Sequence, residues 1–358
     1  MTEVLDTPNL AASQRASLRA DFLALHGFAS LTPLALPADA SARRYFRLAE
    51  AGLLLMDSPP ASEPLGPYLR VADLLCRLGL SAPQVLAADE RAGLALIEDF
   101  GQDTYTRLLA AGHPELPLYQ LAVDCLAQLH QAPASLSAAL PAYNAARLAE
   151  EYGLFIDWYV PLLIGAEAAA ALRERYLQLF AQACQAVASR REALVLRDFH
   201  VDNLMLLADR PGTAACGLLD FQDALQGAAA YDLLSLLEDA RRDLPDSLRQ
   251  QMLSRYLGQR PELDAAAFNA DYQVLAAQRH AKVLGIFVRL AQRDGKKHYL
   301  GHLPRTLGLF VRALDAPALQ PLRTLLDHHL PAHWRHGLDD KAQAQLRGPS
   351  HCMPQEQP

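Results

Sequence analysis

Apolar positions follow two regimes along the chain. In the first hundred residues they come mostly as short runs; afterwards they form stripes of helical period. Residues 15–29 are expected to form a first helix. Tyr45-Phe46-Arg47-Leu48 and Leu53-Leu54-Leu55-Met56-Asp57 suit strands, with Ala49-Glu50-Ala51-Gly52 as a hairpin turn between them. The stretch Ser58–Pro64, with Pro59, Pro60 and Pro64, then breaks the chain. Val71, Leu74, Leu75 and Leu78 recur at i, i+3, i+4 and i+7, which predicts a helix over 68–80 that stops near Gly79. Two more strands are expected at 84–88 and 93–98, around a turn at Ala88–Gly93.

Beyond Glu98-Asp99-Phe100-Gly101 the period changes. Leu118, Leu121, Ala122, Cys125, Leu126 and Leu129 make a helical stripe. Helices are also predicted over 165–189, 229–242 and 271–293, the last with Val283, Leu284, Phe287 and Leu290 on one side. A further one over 305–330 is interrupted at Pro317 and Pro321. The pattern predicts an α+β protein: a small N-terminal lobe, residues 1–100, with a sheet and a helix against it, and a larger, mainly helical C-terminal lobe, residues 101–345. Residues 346–358 are polar and proline-containing and read as a flexible tail. A chain of 358 residues with 51% hydrophobic composition can bury two such cores.

One polar island interrupts the second half. Leu194–Leu196 and Leu204–Leu207 suit short buried strands, and Arg197, Asp198, His200, Asp202 and Asn203 lie between them. A loop held at both ends by core packing fixes reactive groups. A third strand, Gly217–Leu219, ends at Asp220; Asp223 follows, and Asp232 is placed to cap the next helix. Asp198, Asn203 five residues later and Asp220 after a strand and turn follow the pattern that kinases use for phosphoryl transfer. Such transfer needs a carboxylate beside the attacking hydroxyl, to orient it and take its proton. It also needs hard oxygen ligands for Mg²⁺. Asp198 fits the first role; Asn203 and Asp220 fit the second. The bland alternative, ordinary turn carboxylates, leaves the spacing and the flanking strands unexplained.

At Leu196–Met205 and Gly217–Asp243 the chain resembles the aminoglycoside phosphotransferase and choline kinase superfamily. That resemblance implies a two-lobed, protein-kinase-like fold, with a nucleotide-binding N-terminal lobe and a catalytic, substrate-binding C-terminal lobe. Members usually have His two residues before the catalytic Asp; here Leu196 stands there, and Arg197 gives an Arg-Asp pair instead. The stretches ADASARRYFRL (38–48), LLLMDSPP (53–60), LALIEDFGQDTY (94–105) and AAQRHAKVLGIFVRL (276–290) are similar to the anomeric sugar kinases of bacterial cell-wall recycling. Those enzymes phosphorylate N-acetylmuramate and N-acetylglucosamine at the C1 hydroxyl. The resemblance runs over roughly residues 15–335.

The resemblance implies ATP and Mg²⁺ as cofactors and several further site residues. Residues 38–48 occupy the place of the phosphate-covering loop, where small Ala40, Ser41 and Ala42 would let backbone N–H groups approach phosphates. Arg43 or Arg44 would pair with phosphates. Met56 and Asp57 stand where kinases usually carry a phosphate-binding Lys or Arg, and Asp73 or Glu63 would be the partner carboxylate. The backbone of Glu98, Asp99 and Phe100 would meet an adenine edge, with Leu55 and Leu206 sandwiching the ring. His200 and Asp202 would contact the sugar or bond the loop to itself. Arg279 would pair with the lactyl carboxylate of N-acetylmuramate or bridge to a neighbouring helix. Asn144, Glu151, Tyr152, Asp157 and Trp158 lie where this superfamily often places acceptor contacts.

Charge narrows the partners. A net charge of -7 disfavours nucleic-acid binding, which wants a basic surface. The five cysteines are scattered without a CxxC pair, so neither a zinc site nor a disulfide framework is expected, and a reduced compartment is. The acidic start lacks a leader's apolar core, and no run of about 20 apolar residues predicts a membrane span. The expectation is a cytoplasmic enzyme with a small-molecule amino-sugar substrate, no nucleic-acid or membrane partner, and an oligomeric state the sequence leaves open. Two rivals remain at this stage: a kinase for another alcohol (aminoglycoside, choline or homoserine) and a non-catalytic kinase-like scaffold.

Overall fold

The computed structural model describes residues 12–37, 42–133, 136 and 139–348. The chain divides into two compact units: Met1–Cys125 with Val201–Ala224, and Leu126–His200 with Leu225–Pro358. This division differs from a single boundary near Phe100. The first unit keeps residues 101–125 and takes back a late segment, which bridges to it at Ser81↔Gly217 and Thr104↔Met205.

Strands β1 (Leu34–Ala35), β2 (Arg44–Leu48), β3 (Leu53–Asp57), β4 (Val85–Asp89) and β5 (Leu94–Glu98) form an antiparallel sheet in the order β1-β2-β3-β5-β4. The β2–β3 hairpin pairs Leu48 with Leu53 and Arg44 with Asp57, and turns through Ala49–Ala51 and Gly52 as the sequence predicts. Leu48, Leu55, Leu94 and Leu96 form one core with Phe22 and Leu23 of the helix Ala12–Leu25. Leu94, Ala95, Leu96 and Ile97 are all buried, so β5 is covered on both faces. The predicted helix over 68–80 appears as Gly66–Arg77 and buries Tyr68, Val71, Ala72, Leu74 and Leu75. The first helix ends at Leu25 rather than near 29, because Gly27 takes a left-handed conformation.

Later strands pair antiparallel in twos. They are β6 (Ala193–Val195), β7 (Leu204–Leu206), β8 (Cys216–Leu218) and β9 (Leu225–Gly227); β7 joins β8 in the first unit, and β6 joins β9 in the second.

The second unit is built on one long helix, Ala265–Arg293, buried along most of its length. It begins six residues before the expected 271, where the Asp264 side chain accepts from the N–H of Ala266 at 2.8 Å. The helices Ala145–Leu154, Ala230–Leu237 and Leu303–Ala313 pack on it. At Gly285 a Cβ would lie 2.3 Å from the carbonyl carbon and oxygen of Leu154, so the helix crossing depends on a residue without a side chain. Beside it Tyr152 stacks on Phe180 with centroids 4.3 Å apart. The segment predicted over 305–330 divides into Leu303–Ala313 and Gln320–His329, with a 3₁₀ turn at Pro317–Leu319 where prolines interrupt it. The segment at 229–242 shortens to Ala230–Leu237. The helix Asp246–Gln259 was not anticipated, since its polar sequence has little stripe. Leu346 and Arg347 still belong to the helix Asp340–Arg347; residues 349–358 of the expected tail lie outside the described residues. Among the described residues no helix is long and apolar enough to cross a membrane.

Gly285→Ala forces that helix pair apart. We expect a loss of about 1–3 kcal/mol, as for an overpacked core, read as a lowered urea midpoint.

Candidate active site

In the second unit the chain leaves β6 at Val195 and enters the loop that carries Asp198. The entry is held by Asp232. Its Oδ2 accepts from the N–H of Leu196 at 2.6 Å and its Oδ1 from the N–H of Arg197 at 2.9 Å. This corrects the expected role: the helix begins at Ala230, so Asp232 lies in its first turn, fully buried, and caps the loop rather than the helix. Burial lifts its carboxyl to about 7, against the pull of the two N–H donors and Arg279.

Arg197 has φ +73°, a left-handed backbone uncommon for a residue with a side chain. Both ends of the residue are fixed. Its carbonyl accepts from Arg279 Nη1 at 2.9 Å, and its guanidinium donates to Glu151 Oε1 at 2.5 Å. Glu151 also receives Lys282 Nζ at 2.9 Å, Gln278 Nε2 at 2.7 Å and the Tyr143 hydroxyl. Burial alone would raise the Glu151 carboxyl, but Lys282 and Arg197 outweigh it and hold it down at about 2. Asp198, partly exposed, sits in the same field. Burial pushes its carboxyl up, yet Lys282, Arg279, His200 and Arg197 together bring it below the usual carboxylate range. Asp198 is therefore ionised at neutral pH. His200 is buried and its pKa is lowered, first by burial.

Several expected substrate contacts have other work here. Asn144 caps the helix Ala145–Leu154, its Oδ1 accepting from the N–H of Arg147 at 3.1 Å. Both Glu151 oxygens are bonded within the cluster. Arg279 donates to the Arg197 carbonyl and, at 3.2 Å, to the Tyr231 hydroxyl, so it braces the loop. Tyr152 is buried, and Asp157 pairs with Arg173 at 2.7 Å. Lys282 and Gln278 were missed from sequence. The available signal was their spacing with Arg279: polar residues at 278, 279 and 282 in a helix otherwise buried.

In the first unit the chain continues through a 3₁₀ turn, Val201–Asn203, into β7. Asp202 accepts from the Thr106 hydroxyl, which ties this turn to the helix Tyr105–Ala110. The pairing Leu204↔Leu218 and a bond from the Leu219 N–H to the Asn203 carbonyl, 3.0 Å, bring Asn203 and Asp220 onto adjacent strand ends. Asp220 is exposed, with φ +55°, and accepts from Gln222 Nε2 at 2.8 Å; Asp223 is exposed too. Asn203 is half-buried and Asp220 exposed; an amide and a carboxylate on adjacent strand ends are oxygen donors of the kind that suits Mg²⁺, which takes one or two protein oxygens and fills the rest with phosphate and water.

Part of the basic loop, from Ala42 on, lies within the described residues. Arg43 is buried and pairs with Glu63 at 3.2 Å, while the N–H of Ala42 donates to Glu63 at 2.7 Å. Glu63 is thus the carboxylate partner; Asp73 is exposed and pairs with Arg77 on the surface. Burial would lower the Arg43 pKa, but Tyr45, Glu63 and Asp220 raise it, so the cation persists. Arg44 is exposed. Ser41 lies outside the described residues. Asp57, in the place usual for Lys or Arg, receives Arg19 at 2.7 Å and Arg15, and so clamps the N-terminal helix to the sheet.

At residues 98–100 the expectation needs amendment. The N–H groups of Glu98 and Asp99 donate to the carbonyls of Gln84 and Gly52, and so are committed within the sheet. The Asp99 carboxylate is gripped by Arg47 and the Glu98 carboxylate by Arg210. The Phe100 ring packs over Gly217, where a Cβ would come within 2.9 Å of it. Leu55 is fully buried in the core beneath the first helix, so it does not sandwich a ring; Leu206 is partly exposed.

Residues 32–268 match the APH family, described as the phosphotransferase enzyme family. The chain is 36% identical to an N-acetylmuramate/N-acetylglucosamine kinase of Caulobacter vibrioides, over 90% of this chain and 99% of that protein. It is 35% identical to a protein of the same name from Pseudomonas aeruginosa, over 80% of this chain and 86% of that one. Among solved structures, a choline/ethanolamine kinase family protein from Mesorhizobium loti aligns with TM-score 0.57 and 14% identity, over 87% of this chain and 99% of that one. An ADP-bound aminoglycoside phosphotransferase aligns with TM-score 0.55 and 15% identity, over 85% of this chain and 99% of that one. These structural likenesses establish the fold: a kinase-like architecture with a small antiparallel sheet and a mainly helical remainder.

Glu151→Gln leaves Arg197 and Lys282 buried without their counter-charge. We expect a loss of about 3–5 kcal/mol at pH 7. The Glu151 carboxyl is near 2 when folded and about 4.3 when unfolded, so its contribution is complete above about 4.3 and fades as pH falls toward 2. The gap between the wild-type and Glu151→Gln urea midpoints should therefore narrow from pH 5 downward.

Proposed function

The chain belongs to the phosphotransferase enzyme family, and from that premise we propose an ATP- and Mg²⁺-dependent sugar kinase that phosphorylates the C1 hydroxyl of N-acetylmuramate and N-acetylglucosamine. Its place is the cytoplasm, in the recycling of peptidoglycan. The identity of the relatives over most of the chain supports the acceptor. The observation that carries the mechanism is Asp198, ionised and presented by a loop held through Asp232, Arg279 and Glu151.

In this reading Asp198 accepts a hydrogen bond from the C1 hydroxyl and aims its oxygen at the γ-phosphorus of ATP. The new oxygen–phosphorus bond forms, the bond from phosphorus to the ADP oxygen breaks, and the hydroxyl proton passes to Asp198. Asn203 and Asp220 would hold Mg²⁺, which when bound neutralises phosphate charge. Arg43, kept charged and oriented by Glu63, steadies the phosphates, and the exposed Arg44, whose Nη1 donates to the Arg43 carbonyl at 3.0 Å, lies beside it. The backbone around Phe100 would meet an adenine edge. Arg279 braces the loop, so recognition of a lactyl carboxylate falls to other groups.

Asp198→Asn should lower kcat by about 10²–10⁴-fold with ATP affinity little changed. The check is ADP release with ATP, Mg²⁺ and a panel of N-acetylmuramate, N-acetylglucosamine, choline, homoserine and kanamycin, followed by phosphorus NMR of the product. Turnover on the amino sugars with an anomeric phosphate supports the reading. Turnover on another alcohol alone overturns the substrate, and full activity of Asp198→Asn overturns the role of that residue.

A further inference from the structure

The long helix Ala265–Arg293 carries one cation that the chain does not match. Lys282, Ile286, Arg289 and Arg293 follow one another at i, i+4, i+7 and i+11, so they share one side of it. Lys282 is buried against Glu151, Ile286 and Arg289 are half-buried, and Arg293 is exposed. That side therefore opens to solvent as it leaves the Asp198 loop. Arg293 has a counter-charge: it donates to both oxygens of Asp294, at 2.8 and 3.0 Å. Arg289 has no such partner among the described residues. Its Nε is buried and meets no hydrogen-bond acceptor there. Burial and then Arg293 lower its pKa, while Asp294, already engaged, pulls the other way. A guanidinium does not give up its proton in a protein, so the charge stays. A buried N–H on a cation, with no oxygen to meet it, asks for an anion from outside the chain.

Its position says which anion. Lys282 lies within electrostatic range of Asp198, and Arg289 stands two turns further along the same side, about 10 Å away by helical rise. A sugar with its C1 hydroxyl on Asp198 and its ring over this side turns its far substituents toward Arg289. There N-acetylmuramate carries a lactyl carboxylate on its C3 oxygen, and N-acetylglucosamine carries a bare hydroxyl. A planar guanidinium takes a carboxylate through two parallel N–H groups, and it gains far less from a hydroxyl. We propose that Arg289 determines specificity for the acid sugar, its guanidinium receiving the lactyl carboxylate of N-acetylmuramate. The inference rests on the amino-sugar reading above, and it supplies the cation that Arg279, committed to the loop, does not.

The test compares wild type, Arg289→Gln and Arg289→Lys, each as the full chain at saturating ATP and Mg²⁺. The acceptors are N-acetylmuramate, its methyl ester and N-acetylglucosamine. Arg289→Gln should lower the ratio of kcat/KM on N-acetylmuramate to that on N-acetylglucosamine by about 10–100-fold, through KM for the acid sugar. Arg289→Lys keeps a charge but loses the fork, and should fall between wild type and Arg289→Gln. The ester has no charge to lose, so its ratio to N-acetylglucosamine should be the same in all three proteins. An unchanged ratio for the acid sugar, or an equal shift for acid and ester, overturns the contact. A merely structural role would lower all three acceptors together and leave both ratios in place. Melting curves check the fold; should Arg289→Gln be unfolded, Arg289→Lys is read by the same ratios. A wild type inactive on both amino sugars sinks the substrate reading and the contact together. A wild type that takes N-acetylglucosamine but not N-acetylmuramate sinks the contact alone.

Discussion

The loop that carries Asp198 hangs from one buried carboxylate. Asp232 takes the two consecutive N–H groups, of Leu196 and Arg197, that the end of β6 would otherwise leave unpaired. A buried backbone N–H without a partner is costly, and only a group with two acceptor oxygens at the right spread satisfies both. An amide would offer one acceptor and set a donor against a donor. That bidentate bond fixes the direction in which the chain turns out of the core, and the left-handed Arg197 follows from it. Arg279 then holds the Arg197 carbonyl, and Glu151 its guanidinium, so the residue before Asp198 is constrained at backbone and side chain alike.

This arrangement gathers cations. Arg197, Arg279 and Lys282 lie close together and largely out of water, which is tolerable only because Glu151 stands among them. The surplus positive field falls on Asp198 and keeps it ionised. A carboxylate with a depressed pKa is a weak base. It suits a step in which the hydroxyl is oriented first and its proton leaves as the oxygen–phosphorus bond forms, when the hydroxyl has become acidic. The same cluster thus shapes the loop and sets its charge state, so structural and chemical roles cannot be assigned to separate residues.

The elements were legible where a single face or alternation dominates. The β2–β3 hairpin, the helix at 66–77 and the strands around the polar island follow from local pattern, because each buries one side against a core. The helix Asp246–Gln259 was not legible, since it buries little beyond Met252 and Tyr256 and so leaves no stripe. At the site, Asp198, Asn203 and Asp220 stood out by their spacing together with the apolar strands that flank them. What could not be read was pairing. That Asp232 serves the loop rather than its own helix, that Glu151 answers Arg197 and Lys282, and that Glu63 answers Arg43 are contacts over 20 to 131 residues of sequence, invisible to any local rule.

The Arg43–Glu63 pair bears on where the proposed phosphate contact lies. The end of β3 is where a phosphate-binding cation would be sought, yet Asp57 sits there and is engaged by Arg15 and Arg19. A cation at that position would repel both arginines and release the first helix from the sheet. The register sets Arg44 opposite Asp57, and the residue before it, Arg43, lies buried with Glu63. The proposed phosphate contact therefore moves across the hairpin by one strand. The first helix fixes Asp57, Asp57 excludes a cation from the end of β3, and in the proposed reading the loop before β2 supplies it. The change from Lys to Arg follows from the same step, because a guanidinium can keep Glu63 on one edge and still present N–H groups to a phosphate on the other.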